Sequence, residues 1–255
     1  MAIMVLARHG RTEANATGVL AGWLPGVGLD ERGCGQAQQL GDRLAGVPVA
    51  AFVSSPLERC RQTGEAILAA RGNASSGSPA LSLQTEDRLG ECRYGGWTGR
   101  SLKELAAEPL WRTVQDQPSA VTFPAHDDYE HESMQEMHDR AVSAVADWDA
   151  QVERESGPGA IWVALSHGDV IKAILAHALG SDLDRFQRIV VDPASVCIVR
   201  HTAQRPFVVR VNDTGTDPID LSALAEAAVE EARQGQSPGD AAVGGGAGSD
   251  EAGTD

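Results

Sequence analysis

The chain of 255 residues holds only four cysteines, few aromatics and little positive charge. Cys34, Cys60, Cys92 and Cys197 are scattered, with no Cys-x-x-Cys pair. That spacing speaks against a structural zinc site and a disulfide scaffold, and it fits a reducing, cytoplasmic setting. No apolar run approaches the roughly 20 residues that span a bilayer, so no membrane partner is expected. The N-terminus has no basic stretch ahead of its short apolar run, which argues against a secretory signal. The 21 Lys and Arg stand against 36 Asp and Glu, a net charge of −15. Such a chain binds nucleic acid poorly, because phosphate backbones require basic patches. The deficit is uneven: ten acids and one base, Arg233, lie from Asp213 onward, leaving −6 for residues 1–212. A small phosphorylated substrate needs only a local cationic pocket, which global acidity allows.

What is present is enough apolar residue, 42%, for one sizeable core. Residues 3–7 read as a short buried strand ending in Arg8-His9-Gly10. In an open α/β sheet, ligands bind beyond the carboxyl ends of the strands. A loop with Trp23 and Pro25 follows over 18–28, and Asp30 caps a helix to about residue 44. A second strand spans 49–53. It leads into Ser54-Ser55-Pro56-Leu57-Glu58-Arg59, whose Ser55, Pro56 and Glu58 predict a capping box and place Arg59 in the first helical turn. A Gly/Ser-rich loop over 73–79 and a third strand over 80–84 lead to Glu91 and Tyr94-Gly95. Residues 100–150 form a helical insertion, broken by a loop over 118–129. A buried strand over 161–165 ends in Ser166-His167-Gly168, and a helix over 169–179 is closed by Gly180. Strands over 196–201 and 207–211 complete the domain, 1–212. An acidic helix within 213–234 and a disordered acidic tail, 235–255, follow.

Two strand ends thus carry histidines, one helix start an arginine and one loop a glutamate. Phosphoryl transfer from a monoester uses those types. A neutral imidazole attacks phosphorus. Guanidinium forks hold the equatorial oxygens. A carboxylic acid protonates the leaving alkoxide and then activates water.

Arg8-His9-Gly10 with Asn15, Ser54-Ser55-Pro56-Leu57-x-Arg59 with Thr63, Glu91 before Tyr94-Gly95, and Ser166-His167-Gly168 occur in one order. This set resembles the histidine phosphatase superfamily, in its phosphoglycerate mutase-like branch, over residues 3 to about 211. The resemblance implies a three-layer α/β/α sandwich with a mostly parallel central sheet. It implies that His9 is the phosphorylated nucleophile and Glu91 the proton donor. Arg8, Arg59 and His167 would hold the phosphate, with Asn15 nearby. Thr12, Gly22, Trp23, Tyr94 and Gly168 complete the expected binding set. No cofactor and no metal are expected, and the oligomeric state is open between monomer and homodimer.

The chain departs from the pattern in places. Phosphatases of this branch usually carry a Pro-Gly-Gly-Glu-Ser-like turn; here residues 125–131 separate Pro124 from Glu132-Ser133. Cofactor-dependent mutases carry an arginine after the glutamate and an asparagine after the second His-Gly; here Cys92 and Asp169 stand there. Hydrolysis of a small phosphomonoester is therefore the leading reading. A phosphomutase using the same intermediate and a catalytically silent phospholigand-binding protein are its rivals. His126, His131 and His138, with Asp127, Asp128 and Glu130, read as a solvated loop and helix start rather than a metal site. Cys60 and Cys92 read as small buried thiols. Trp23 either stacks on substrate or pins its loop.

Overall fold

The computed structural model describes residues 2–72 and 81–234. The expected 73–79 loop and the tail from 235 lie outside them. The strands are β1 (Ile3–Arg8), β2 (Val49–Ser54), β3 (Leu83–Thr85), β4 (Ile161–Ser166), β5 (Val196–Arg200) and β6 (Phe207–Asp213). They form one sheet in the order β3-β2-β4-β1-β5-β6. β1 to β4 run parallel, and β5 and β6 are antiparallel additions on one side. The helices are α1 (Glu13–Thr17), α2 (Glu31–Leu44), α3 (Glu58–Gly72), α4 (Leu102–Leu105), α5 (Pro109–Asp116), α6 (Met134–Ser156), α7 (Gly168–Ala178) and α8 (Ser222–Gln234).

Both faces of the sheet are covered, which is why β1 and β4 read as unbroken apolar runs. Side chains alternate across a strand. Met4 and Leu6 enter one core with Trp162 and the inner faces of α6 and α7. Ile3, Val5 and Ala7 enter the other with Leu40, Leu44 and Ile67 of α2 and α3. The result is the three-layer α/β/α sandwich expected. Ile219 and Leu221, just ahead of α8, are buried in the second core, and Glu231 of α8 pairs with Arg200 at 3.0 Å.

Local differences from the sequence reading have physical causes. β3 starts three residues later than expected, because it is an edge strand paired only along Phe52–Ser54. No capping box forms at Ser55. Its N–H stays in the sheet, donating to Leu165 O at 2.9 Å, so α3 begins at Glu58 rather than Pro56. Glu58 instead accepts from Gln62 Nε2 at 2.9 Å, and the Ser55 hydroxyl accepts from Leu57 N at 3.2 Å. Arg59 still lies in the first turn. β6 runs two residues beyond the expected 211, to Asp213.

The loop after β1 presses directly on the start of α2. A Cβ on Gly33 would lie 1.9 Å from Arg11 O, and one on Gly10 would lie 2.5 Å from Gly33 O. Backbone oxygens cannot rotate away. Gly33→Ala is expected to cost about 1–3 kcal/mol, the usual penalty of overpacking. A loss of about 2–4 °C in melting temperature per kcal/mol should report it. Unchanged melting would show that the loop gives way freely.

Candidate functional site

Across the sheet, Arg8 lies opposite Ser166, and Ser54 lies opposite Leu165. The residues that follow, His9, His167 and Ser55, therefore meet at the carboxyl edge of three parallel strands. His9 N donates to Ser166 O at 3.1 Å, and the two imidazole rings lie 5.2 Å apart.

His9 is 3% exposed and lines a cleft of about 650 Å³. Its Nδ1 is 2.7 Å from Gly10 O. A carbonyl only accepts, so Nδ1 carries the proton and Nε2 keeps its lone pair. Nε2 makes no hydrogen bond among the described residues. Burial first, then Arg59 and Arg8, hold His9 well below the usual imidazole range, so the ring is neutral. His167 is held down in the same way, by burial, Arg59 and His9. Unlike His9, it has its Nε2 on Ser55 Oγ at 2.7 Å.

Two guanidinium groups flank the histidines. Arg59 is 3% exposed and donates from Nη2 to Gly22 O at 2.9 Å. The Thr63 hydroxyl donates to Arg59 O at 2.7 Å and accepts from Gly10 N at 3.1 Å, tying the first turn of α3 to the β1 loop. Arg8 donates from Nη1 to Val191 O at 2.7 Å. Its buried Nε–H has no partner among the described residues, so a donor is left for a ligand. Gly168 opens α7 beside the Arg8 guanidinium, and a helix start favours anions. Thr12 caps α1, and Asn15 Oδ1 accepts from Thr12 N and Oγ1 at 3.1 and 3.0 Å.

Glu91 reaches the same cleft. Its Oε1 accepts from Cys92 N at 2.9 Å, and its Oε2 lies 4.0 Å from His167 Nδ1. Burial and the nearby Asp169 carboxylate push it up to about 7, against the pull of Arg59. The loop that carries it is held from several sides. Arg140 donates to the carbonyls of Arg88, Gly90 and Glu91 at 2.7, 2.8 and 3.0 Å, while pairing with buried Glu132 at 2.6 Å. Ser166 Oγ donates to Leu89 O at 2.7 Å. Trp23 Nε1 donates to Glu91 O at 2.6 Å, and its ring packs on Gly90.

Arg8, His9, Thr12, Asn15, Gly22, Arg59, Glu91, Tyr94 and Gly168 thus line one cleft. His167 lies directly behind it, fully buried. Trp23 is not part of the lining; of the two readings, it does the pinning. Sequence reasoning missed Arg140 and Glu132, 49 and 41 residues from Glu91 with no local pattern linking them to it. A usable signal was there: a charge three residues after buried Met137 and one before buried Ala141, on the apolar side of α6. It also missed Lys172 and Gln187 of the outer walls, whereas Leu20 comes from the 18–28 loop and Trp111, Val114 and Phe123 from the insertion that the sequence marks as wall-forming.

Cys60 and Cys92 are buried, and burial pushes the Cys60 thiol up to about 12. His126 packs at a tilt against Tyr129 and accepts from Asp128 N at 3.1 Å, and His138 pairs with Asp139 at 2.8 Å. No three or more His, Cys, Asp or Glu among the described residues are grouped to hold a metal. None of those residues forms a helix long and apolar enough to cross a membrane.

The family model described as histidine phosphatase superfamily (branch 1) matches residues 4–214. The chain belongs to that superfamily. It is 27% identical to phosphoserine phosphatase 1 of Hydrogenobacter thermophilus, covering 84% of this chain and 93% of the relative. It is 26% identical to the 2,3-bisphosphoglycerate-dependent phosphoglycerate mutase of Thermoplasma acidophilum, over 78% of this chain and 87% of the mutase. The crystal structure of an Entamoeba histolytica phosphoserine phosphatase in complex with 3-phosphoglyceric acid superposes with a TM-score of 0.69 at 21% identity. It covers 85% of this chain and 99% of that one, and shares its fold. The superfamily members similar to this chain thus include both phosphatases and mutases.

Proposed function

We propose that this histidine phosphatase hydrolyses a small phosphomonoester through a phosphoryl group carried on His9. The observation that supports it most is the state of the His9 ring: neutral, with Nδ1 anchored on Gly10 O and Nε2 without a hydrogen bond among the described residues, in a cleft that Arg8 and Arg59 also line. In the first step Nε2 bonds to phosphorus and the P–O ester bond breaks. The Glu91 carboxyl proton passes to the departing alkoxide. Positive charge gathering on the ring is shared with the Gly10 carbonyl. In the second step the Glu91 carboxylate takes a proton from water, the hydroxide attacks phosphorus, and the P–N bond breaks. Inorganic phosphate leaves, with Glu91 protonated and His9 neutral again. Arg8 and Arg59 hold the equatorial oxygens throughout.

The cleft favours hydrolysis over transfer to a second hydroxyl. A mutase must grip the far end of an acidic substrate. Here buried Cys92 follows Glu91, and an acid, Asp169, lines the cleft. The deciding experiment incubates the enzyme with a panel of phosphomonoesters and follows both inorganic phosphate and isomerised product. Net phosphate release without a bisphosphorylated primer is expected. Faster interconversion of phosphoglycerates than hydrolysis of any ester would overturn the reading.

The clamp gives a second expectation. Arg59→Ala should lose about 10²–10³ in rate, the effect of removing one donor that stabilises the transition state. Arg61, two residues on, is 58% exposed and pairs with Glu65 at 3.6 Å. Arg61→Ala should change phosphate release by less than about twofold, since surface pairs contribute little. Similar losses in the two variants would refute the assignment of Arg59.

A further inference from the structure

We infer that the leaving group is an uncharged alcohol with an extended apolar body, and that this enzyme discriminates against compact carboxylate-bearing esters. The inference rests on the hydrolase reading and concerns the cleft beyond the phosphate. One wall is apolar: Leu20, Leu102, Trp111, Val114 and Phe123 line it. Trp111 stacks on buried Trp97 with centroids 6.2 Å apart, so its ring is a fixed surface. Ile189 and Val190 also line the cleft, and Val190 is 60% exposed.

The charges around the cleft are already spoken for. Arg8 and Arg59 flank His9. Arg11 is paired with Asp30 at 2.8 Å. Lys172, the remaining cation of the lining, lies 3.4 Å from Asp169 and 3.1 Å from Gln187 Oε1. Asp169 also accepts from Tyr94 OH at 2.8 Å, which fixes its carboxylate in place. A substrate carboxylate entering here would meet a held anion, a lysine already paired with it and apolar walls. Its water would be lost without replacement, which is costly. An aryl or branched alkyl group would instead release water from both surfaces.

Leaving-group chemistry must be matched in the test. 3-Phenylpropyl phosphate, 3-phosphoglycerate and phosphoserine are all esters of primary alcohols, so each needs the same proton from Glu91. The phenylpropyl ester is expected to show a kcat/KM at least tenfold above both, chiefly through KM. Leu102→Lys places a cation on the wall at a residue already 38% exposed, where the fold tolerates it. That variant should lose on the phenylpropyl ester and gain on 3-phosphoglycerate, an inversion that misfolding cannot produce. Equal or greater kcat/KM for the carboxylate esters in the unaltered enzyme overturns the inference and leaves hydrolysis standing. Release of phosphate from none of the esters overturns the hydrolase reading itself, and the inference with it.

Discussion

Replacing His9 with alanine is expected to abolish a trappable phosphoryl adduct and to lower kcat/KM by about 10⁴–10⁶. Losses of that size follow removal of a nucleophile whose partners act with it as a unit. The competing nucleophile is His167, which sits beside it at the end of β4. The two rings differ in what occupies their nitrogens. His167 Nε2 is engaged by Ser55 Oγ at 2.7 Å, and its ring is fully buried. His9 has its Nδ1 on Gly10 O, which leaves Nε2 with no protein partner among the described residues. Quenching under alkaline conditions preserves a phosphoimidazole, and peptide mapping locates it. The adduct should map to His9 in the unaltered enzyme and vanish in His9→Ala. His167→Ala should still form it, more slowly, because that ring packs beside His9 from behind the cleft and its Nε2 is held by Ser55. An adduct on His167, or near-normal turnover in His9→Ala, would reverse the assignment.

What the sequence made legible follows how local each signal is. β1, β2 and β4 were readable because strands buried on both faces are continuous apolar runs with sharp ends. Each functional residue at a strand end then inherits its place from the sheet, so His9, His167 and Ser55 fall together once the strands are parallel neighbours. Arg59 was readable through Ser55-Pro56, although the helix starts two residues later than that pattern suggests. Contacts made across long loops were not. Arg140 supports Glu91 from α6, and Trp23 supports it from the loop before α2. Nothing near Glu91 names either partner. The segments that wall the cleft were legible, the 18–28 loop and the insertion, but Lys172 and Gln187 on its other side were not. The excursion at 124–131 is long and polar, which in one dimension speaks against a tight, dry lid. In the fold, Gly95 N donates to Glu130 O and Gly96 N to Pro124 O, so it is tied to the neighbouring loop. Only Phe123 at its base reaches the cleft lining.

Glu91→Gln is expected to separate substrates by the basicity of their leaving groups. An alkoxide cannot depart without a proton, so alkyl phosphates should lose about 10²–10⁴ in kcat/KM, the range of general acid catalysis. A nitrophenolate needs no proton, and its first step should slow by less than about tenfold. The second step still requires Glu91 to draw a proton from water. With 4-nitrophenyl phosphate the variant should therefore give a burst of one nitrophenolate per site, followed by slow turnover. The pH profile carries the same signature. Glu91, pushed up to about 7, is the acid below that pH and loses its proton above it. For alkyl phosphates kcat/KM should fall as pH rises through about 7, and this limb should be absent in Glu91→Gln. The shift has burial as its larger cause and Asp169 as the next, so Asp169→Asn should move the limb toward lower pH without removing it. Equal losses for alkyl and aryl esters in Glu91→Gln, or an unmoved limb, would place the proton elsewhere. Tyr94 is a poor substitute, because burial and the facing acids Asp169 and Glu91 hold its hydroxyl well above the usual phenol range. Cys92 is held up in the same way, by burial and by Glu132, Glu91 and Asp169. Glu91 combines a proton available near neutrality with a carboxylate oxygen, Oε2, 4.0 Å from His167 Nδ1 beside the histidine pair.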